Sequence, residues 1–173
     1  MRIKNCMIEN KQQILLNALV QYYKAPAKIA AFSDIISRKS NVSLRVIDYL
    51  CTNYARQHDV VYYIGKKSFN LHLQYQAQLK AYSKMQFDPF KRHQRIVIDV
   101  PKNSVSSGKL ESTVAQLNFF KWALNNKVID FLKDEKNMEA VEKHMAAHSA
   151  AKHKHEKKKV LKRHNVCVTV TFQ

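Results

Sequence analysis

The chain has 173 residues, with 30 Lys and Arg against 13 Asp and Glu, a net charge of +17 at pH 7. Its 46% apolar fraction can furnish a core, and no stretch approaches the roughly 18 uninterrupted apolar residues of a membrane span. Carboxylates this few and scattered argue against an enzyme, while so much uncompensated positive charge calls for a polyanionic partner, above all nucleic acid.

Two Gly and three Pro leave few tight turns, so helix should dominate. Residues 10–23 are predicted as a first helix with Ile14, Leu15, Ala18, Leu19 and Tyr22 on one stripe. Pro26 ends that segment and can open the next helix, 27–38, which buries Ile29, Ala30, Phe32, Ile35 and Ile36. Ser43 suits the N-cap of a third helix, 44–57, with Leu44, Ile47, Leu50, Cys51 and Tyr54 inward. Its outer face would carry Arg45, Asn53 and Arg56, opposed by Asp48.

From Val60 the period changes. Val60–Ile64 reads as one strand, and the alternation of Phe69, Leu71, Leu73 and Tyr75 as another, joined by a turn at Gly65-Lys66-Lys67-Ser68. Three helices followed by a basic-tipped hairpin is the order of a winged helix. The third helix would then enter the major groove while Lys66 and Lys67 reach phosphates. The same order also fits an ordinary α+β core.

Residues 76–86 return to helix through Leu79, Tyr82 and Met85, and Pro89 breaks it. Ile96, Val97, Ile98 and Val100 form a short buried strand. A linker at 101–110 would divide an N-terminal unit, 1–100, from a helical unit, 111–173. The latter's stripe is Val114, Leu117, Phe120, Leu124 and Val128, with a kink at Asn125-Asn126 and Asn137 capping a further helix. Val166, Val168, Val170 and Phe172 alternate as a terminal strand, expected to pair with 95–100. The fold class is thus a helix-rich α+β, with a winged-helix-like start and a helical end closed by that strand.

Three segments, Leu44–Asn53, Gln78–Lys84 with Phe87–Phe90, and Leu117–Ala123, resemble uncharacterised proteins of large nucleocytoplasmic DNA viruses, of the giant-virus and algal-virus kind. The resemblance spans about Val42 to Leu132. It implies a viral origin and no catalytic residue.

Chemistry-bearing patterns are sparse. Cys6, Cys51 and Cys167 show neither zinc spacing nor a disulfide framework, which places the chain in a reducing, intracellular compartment. His144 and His148 have the i, i+4 spacing of a helical metal pair but lack further ligands, so a solvated basic face is the better reading and no cofactor is expected. Asp88 and Asp99 flank a basic strand without the other groups a metal-dependent nuclease needs. Tyr62, Tyr63, Tyr82, Phe87 and Phe90 lie among basic residues, as single-strand stacking requires, although ring spacing fits core positions better. The candidate contacts are therefore Arg45, Asn53, Arg56, Lys66 and Lys67, with Lys154, Lys157, Lys158, Lys159, Lys162 and Arg163 in the tract 143–163. The expected partner is nucleic acid, DNA ahead of RNA. The rivals are a virion scaffold that meets a viral protein or self-associates through Phe119, Phe120 or Trp122, and a single-stranded RNA binder.

Overall fold

The computed structural model describes residues 3–92, 94–99 and 108–160, with the backbone alone given for 3–11 and 153–160. Helix α1 (Ile3–Tyr23) is followed by α2 (Pro26–Ile36), which Pro26 opens at a position where its missing N–H costs nothing. Ser43 accepts a bond from the Val46 amide at 3.2 Å and so caps α3 (Leu44–Tyr49). The backbone stays helical through a π turn (Leu50–Tyr54) into α4 (Ala55–His58), and Asp59, at φ 44°, ends the rod in the left-handed region. These elements follow the expected order; in α1 Leu19 is buried and Leu15 and Tyr22 pack on the core as the stripe predicts, but Ile14 and Ala18 face outward and Tyr23 is buried as well.

The hairpin pairs β1 (Val61–Ile64) with β2 (Lys67–Asn70) in antiparallel register, Ile64 opposite Lys67. Gly65 and Lys66 alone make the turn, and the φ of +62° at Gly65 is what a two-residue hairpin of this kind demands. The second strand is shorter than the alternation predicts. At Leu71 the chain becomes helix α5 (Leu71–Gln86), because Asn70 caps it by accepting from the Leu73 amide at 3.0 Å. Leu71 and Tyr75 are buried at i, i+4 while Leu73 faces solvent, so the pattern 69–75 is half strand and half helix.

After the turn 87–90, β3 (Arg95–Asp99) pairs antiparallel with β4 (Lys109–Thr113). Val97 is exposed and Ile96 and Ile98 half-buried, so this is an alternating strand rather than the buried run expected. Lys109 and Leu110, read as the end of the linker, are already strand. The predicted terminal strand lies outside the described residues.

Thr113 caps α6 (Val114–Asn125), which is buried along most of its length and forms the centre of the molecule. It packs on α1 and α5. Phe120 meets Phe32 of α2, and Phe119 and Trp122 meet Phe87. Phe87 is itself packed among Tyr75 and Tyr82, which makes this ring the pin of the 87–90 turn; burying such a ring contributes roughly 1.5–3 kcal/mol. The kink expected at Asn125-Asn126 is present, and α7 (Val128–Lys133) starts beyond it. Asp134, rather than Asn137, caps α8 (Glu135–Val160), accepting from the amides of Lys136 and Asn137. Buried residues from α1 through Val141 of α8 form one continuous core.

Candidate nucleic-acid interface

Arg45 and Arg56 are exposed on the 44–58 rod, and no ion pair among the described residues involves either. An unbroken α-helix would set residues eleven apart within about 20° of each other. The π turn takes up one extra residue between them, which rotates Arg56 by about 100° and leaves the two roughly 80° apart. The rod therefore presents its two arginines on neighbouring faces, not on the single face the sequence predicts. Asn53 is half-buried and donates to Thr52 Oγ1 at 2.9 Å, while Thr52 donates to the Asp48 carbonyl.

One side of this rod is covered by α8. Tyr49 Oη lies 2.8 Å from His144 Nδ1, and the rings of Tyr54, His58 and His144 pack together at 4.3 to 5.5 Å. The His148 ring sits 5.8 Å from that of Tyr49. The spaced histidines are thus contact residues for the third helix, and His144 is already engaged by a tyrosine. Among the described residues no three His, Cys, Asp or Glu side chains converge as a metal site would require.

Lys66 and Lys67 stand exposed at the hairpin tip, away from any acidic partner among the described residues. Behind them the two tyrosines part company. Tyr62 stacks between Phe69 and Phe131 and donates to the Asn126 carbonyl at 2.7 Å, so it anchors the hairpin to the body. Burial pushes its hydroxyl well above the usual tyrosine range. Tyr63 is 75% exposed and makes no such contact.

Helix α8 packs through Met138, Val141, His144 and Met145, a stripe at helical spacing. Beyond His148 it continues for twelve residues to Val160, about 18 Å at 1.5 Å per residue. Ala150, Ala151 and Lys152 are exposed. Lys154, Lys157, Lys158 and Lys159 fall on this extension, of which only the helical backbone is described. Lys162 and Arg163 lie outside the described residues.

A further basic feature adjoins the rod. A cleft of about 440 Å³ opens between the end of α2, the start of α3 and the 87–90 turn, with Ile36, Val42 and Leu44 as apolar lining beside Arg38, Arg45 and Phe90. The Arg92 guanidinium stacks 4.7 Å from the centre of the Phe90 ring, and its Nε reaches Asp88 at 3.4 Å. Asp88 is buried and accepts from the Phe90 amide, so the turn is closed on itself. Burial, reinforced by Asp88, raises the Asp48 carboxyl above its ordinary range, with Arg92 and Lys84 opposing. Sequence patterning overlooks Arg38 and Arg92 as site residues. The Lys91-Arg92 pair directly after Phe87–Phe90 is the available signal for one of them, and the Arg38-Lys39 pair at the end of the second helix for the other.

A family model described as a family of unknown function, DUF7197, matches residues 2–167. The chain belongs to that family. An uncharacterised protein of Acanthamoeba polyphaga mimivirus is similar to this DUF7197 chain, 38% identical over 104 residues, a match that covers 57% of the chain and 40% of the relative. The chain thus spans well under two thirds of that relative's length. No solved structure matches. The resemblance to uncharacterised viral proteins holds at this level, through a family without an assigned activity and a giant-virus relative.

In this DUF7197 member the segments that carry the resemblance meet in space. Phe87 packs on Phe119 and Trp122, Asn118 donates to the Gln86 carbonyl at 2.9 Å, and Gln116 donates to the Pro89 carbonyl at 2.8 Å. Asp48 of the first segment feels the charge of Asp88 in the second. Motifs distant in sequence are therefore the parts of one rigid support beneath the rod and the cleft.

Proposed function

We propose that this DUF7197 protein binds nucleic acid without chemistry, chiefly through phosphates, with DNA preferred to RNA. The observation that carries the reading is the placement of Arg45, Arg56, Lys66 and Lys67. All four are exposed, and none is in an ion pair among the described residues, in a chain of net charge +17. In this reading the 44–58 rod works as a recognition helix and the hairpin tip as a wing, with the α8 extension adding further phosphate contacts. In a viral setting the task is transcription control or genome organisation. The scaffold alternative loses its proposed self-association surface, since Phe119, Phe120 and Trp122 are buried.

The test is fluorescence anisotropy on matched duplex DNA, single-stranded DNA and RNA across a salt series. Duplex affinity should fall steeply with salt, and Lys66→Glu/Lys67→Glu should lower the logarithmic slope by roughly 2, near 0.9 per lost phosphate contact. Duplex binding unchanged by Arg45→Glu and by the hairpin-tip change would overturn the reading.

A further inference from the structure

We propose that the cleft between α2, α3 and the 87–90 turn receives an unpaired nucleotide of a single-stranded nucleic acid, its base against Phe90 and its phosphate between Arg38 and Arg45. This rests on the nucleic-acid reading and deepens it by naming a second mode at an adjoining place that shares Arg45.

Four observations converge on this cleft. Its volume of about 440 Å³ falls within the span usual for small-ligand sites, roughly 300–1,000 Å³. Its lining combines what a nucleotide has: an apolar flat surface for a base and guanidinium groups, whose fork matches phosphate oxygens. Phe90 is held for the purpose rather than left loose. The turn that carries it is pinned by Phe87 in the core, by Gln116 on the Pro89 carbonyl and by Asp88 on the Phe90 amide. Arg92, stacked on the same ring while its Nε reaches Asp88, shows that the ring already serves as a platform for a flat group. The φ of 58° at Arg38 belongs to the close of α2, where the Lys39 amide donates to the Asp34 carbonyl, and it leaves Arg38 at the edge of the cleft.

Of the other aromatic residues among basic neighbours, Tyr63 stands exposed on the hairpin and Tyr82 packs on Phe87. Tyr62 and Phe87 belong to the core contacts already described. Phe90 is half-buried, lines a cleft together with Arg38 and Arg45, and carries Arg92 on its ring. An unpaired base needs such a site; a paired base in a duplex cannot reach it without leaving its stack.

The experiment compares a single-stranded oligonucleotide carrying 2-aminopurine with a fully paired duplex of the same length, using the full chain. Wild type should bind both and change the 2-aminopurine emission of the single strand. Phe90→Leu should weaken single-strand binding roughly five- to hundredfold, the loss of one base–aromatic stack, and abolish the emission change. Duplex affinity should stay within about twofold, and Phe90→Tyr should behave as wild type. Arg38→Asn, which tolerates the left-handed backbone, gives a variant independent of the turn's packing and should also weaken single strands selectively. Equal losses on both probes, or none on the single strand, overturn the proposal. A wild type that binds duplex and ignores single strands overturns this inference alone; one that binds neither overturns the nucleic-acid reading with it.

Discussion

Asp48 is the residue whose surroundings most oppose its charge. It stands on the face of α3 next to Asp88, half-buried, and both burial and that neighbour favour its protonated form. A carboxyl whose folded pKa lies above its unfolded value contributes stability that is full at low pH and lost as the pH rises through the folded value. Asp48→Asn should therefore raise the melting temperature at pH 7 by roughly 1–3 °C. The gain should shrink towards zero as the pH falls below the ordinary aspartate range, and thermal melts followed by circular dichroism at several pH values would show it. Cys51 illustrates the reverse use of burial: the thiol is fully enclosed and pushed far above the cysteine range, which suits a core residue and not a nucleophile. At this scale the sequence is legible where exposure follows from charge alone, as at Lys66 and Lys67. It is not legible where two like residues stand side by side. Tyr62 and Tyr63 point to opposite faces of β1, and Phe131, some seventy positions later, is what makes the Tyr62 face the inner one.

The elements were readable where an amphipathic stripe and a cap agree, as in α2 and in α3 behind Ser43. They were misread where one pattern satisfies two periods. Phe69, Leu71, Leu73 and Tyr75 alternate, yet Leu71 and Tyr75 also share a helical face, and the Asn70 cap decides for helix. A second departure lies within α5, where Ser83 holds φ 57° and ψ 169°, a conformation natural only to glycine. The kink it makes turns Met85, read from the sequence as part of the apolar stripe, out to 64% exposure. Ser83→Gly should stabilise the protein by about 1 kcal/mol, since the strain removed exceeds the added freedom of the unfolded chain. Urea titration measures this as a higher midpoint at unchanged slope.

Across the whole molecule, the core that surrounds α6 draws on residues from both sides of the segment 101–110. Sequence spacing cannot reveal that, because Phe32 and Phe120 meet only in three dimensions. The exterior must carry a charge of +17 over this core, with Asp130 already shared between Lys127 and Lys133. Partial burial disfavours the Asp130 charge, yet hydrogen bonds from both lysines hold its carboxyl below the usual range. Self-repulsion of the remaining cations should make the free protein more stable as salt rises. Between about 10 and 150 mM ionic strength the screening length falls from roughly 30 to 8 Å. Melting temperature should climb across that interval without nucleic acid, while nucleic-acid affinity falls; a melting temperature indifferent to salt would mean the charges are compensated after all.

The wide turn at Leu50–Tyr54 is, in effect, one residue more than a plain helix needs. Family members that differ by a single residue in this stretch can keep both ends of the rod in place, the wide turn closing to an ordinary one. In them the arginine of the second half would keep its bearing, because ten plain helical steps of about 100° also leave it roughly 80° from the first. A one-residue gap here would then be a nearly neutral length change, whereas the same gap in the plain helix on either side of the wide turn would swing the second arginine by about 100° and remake the surface that meets the partner.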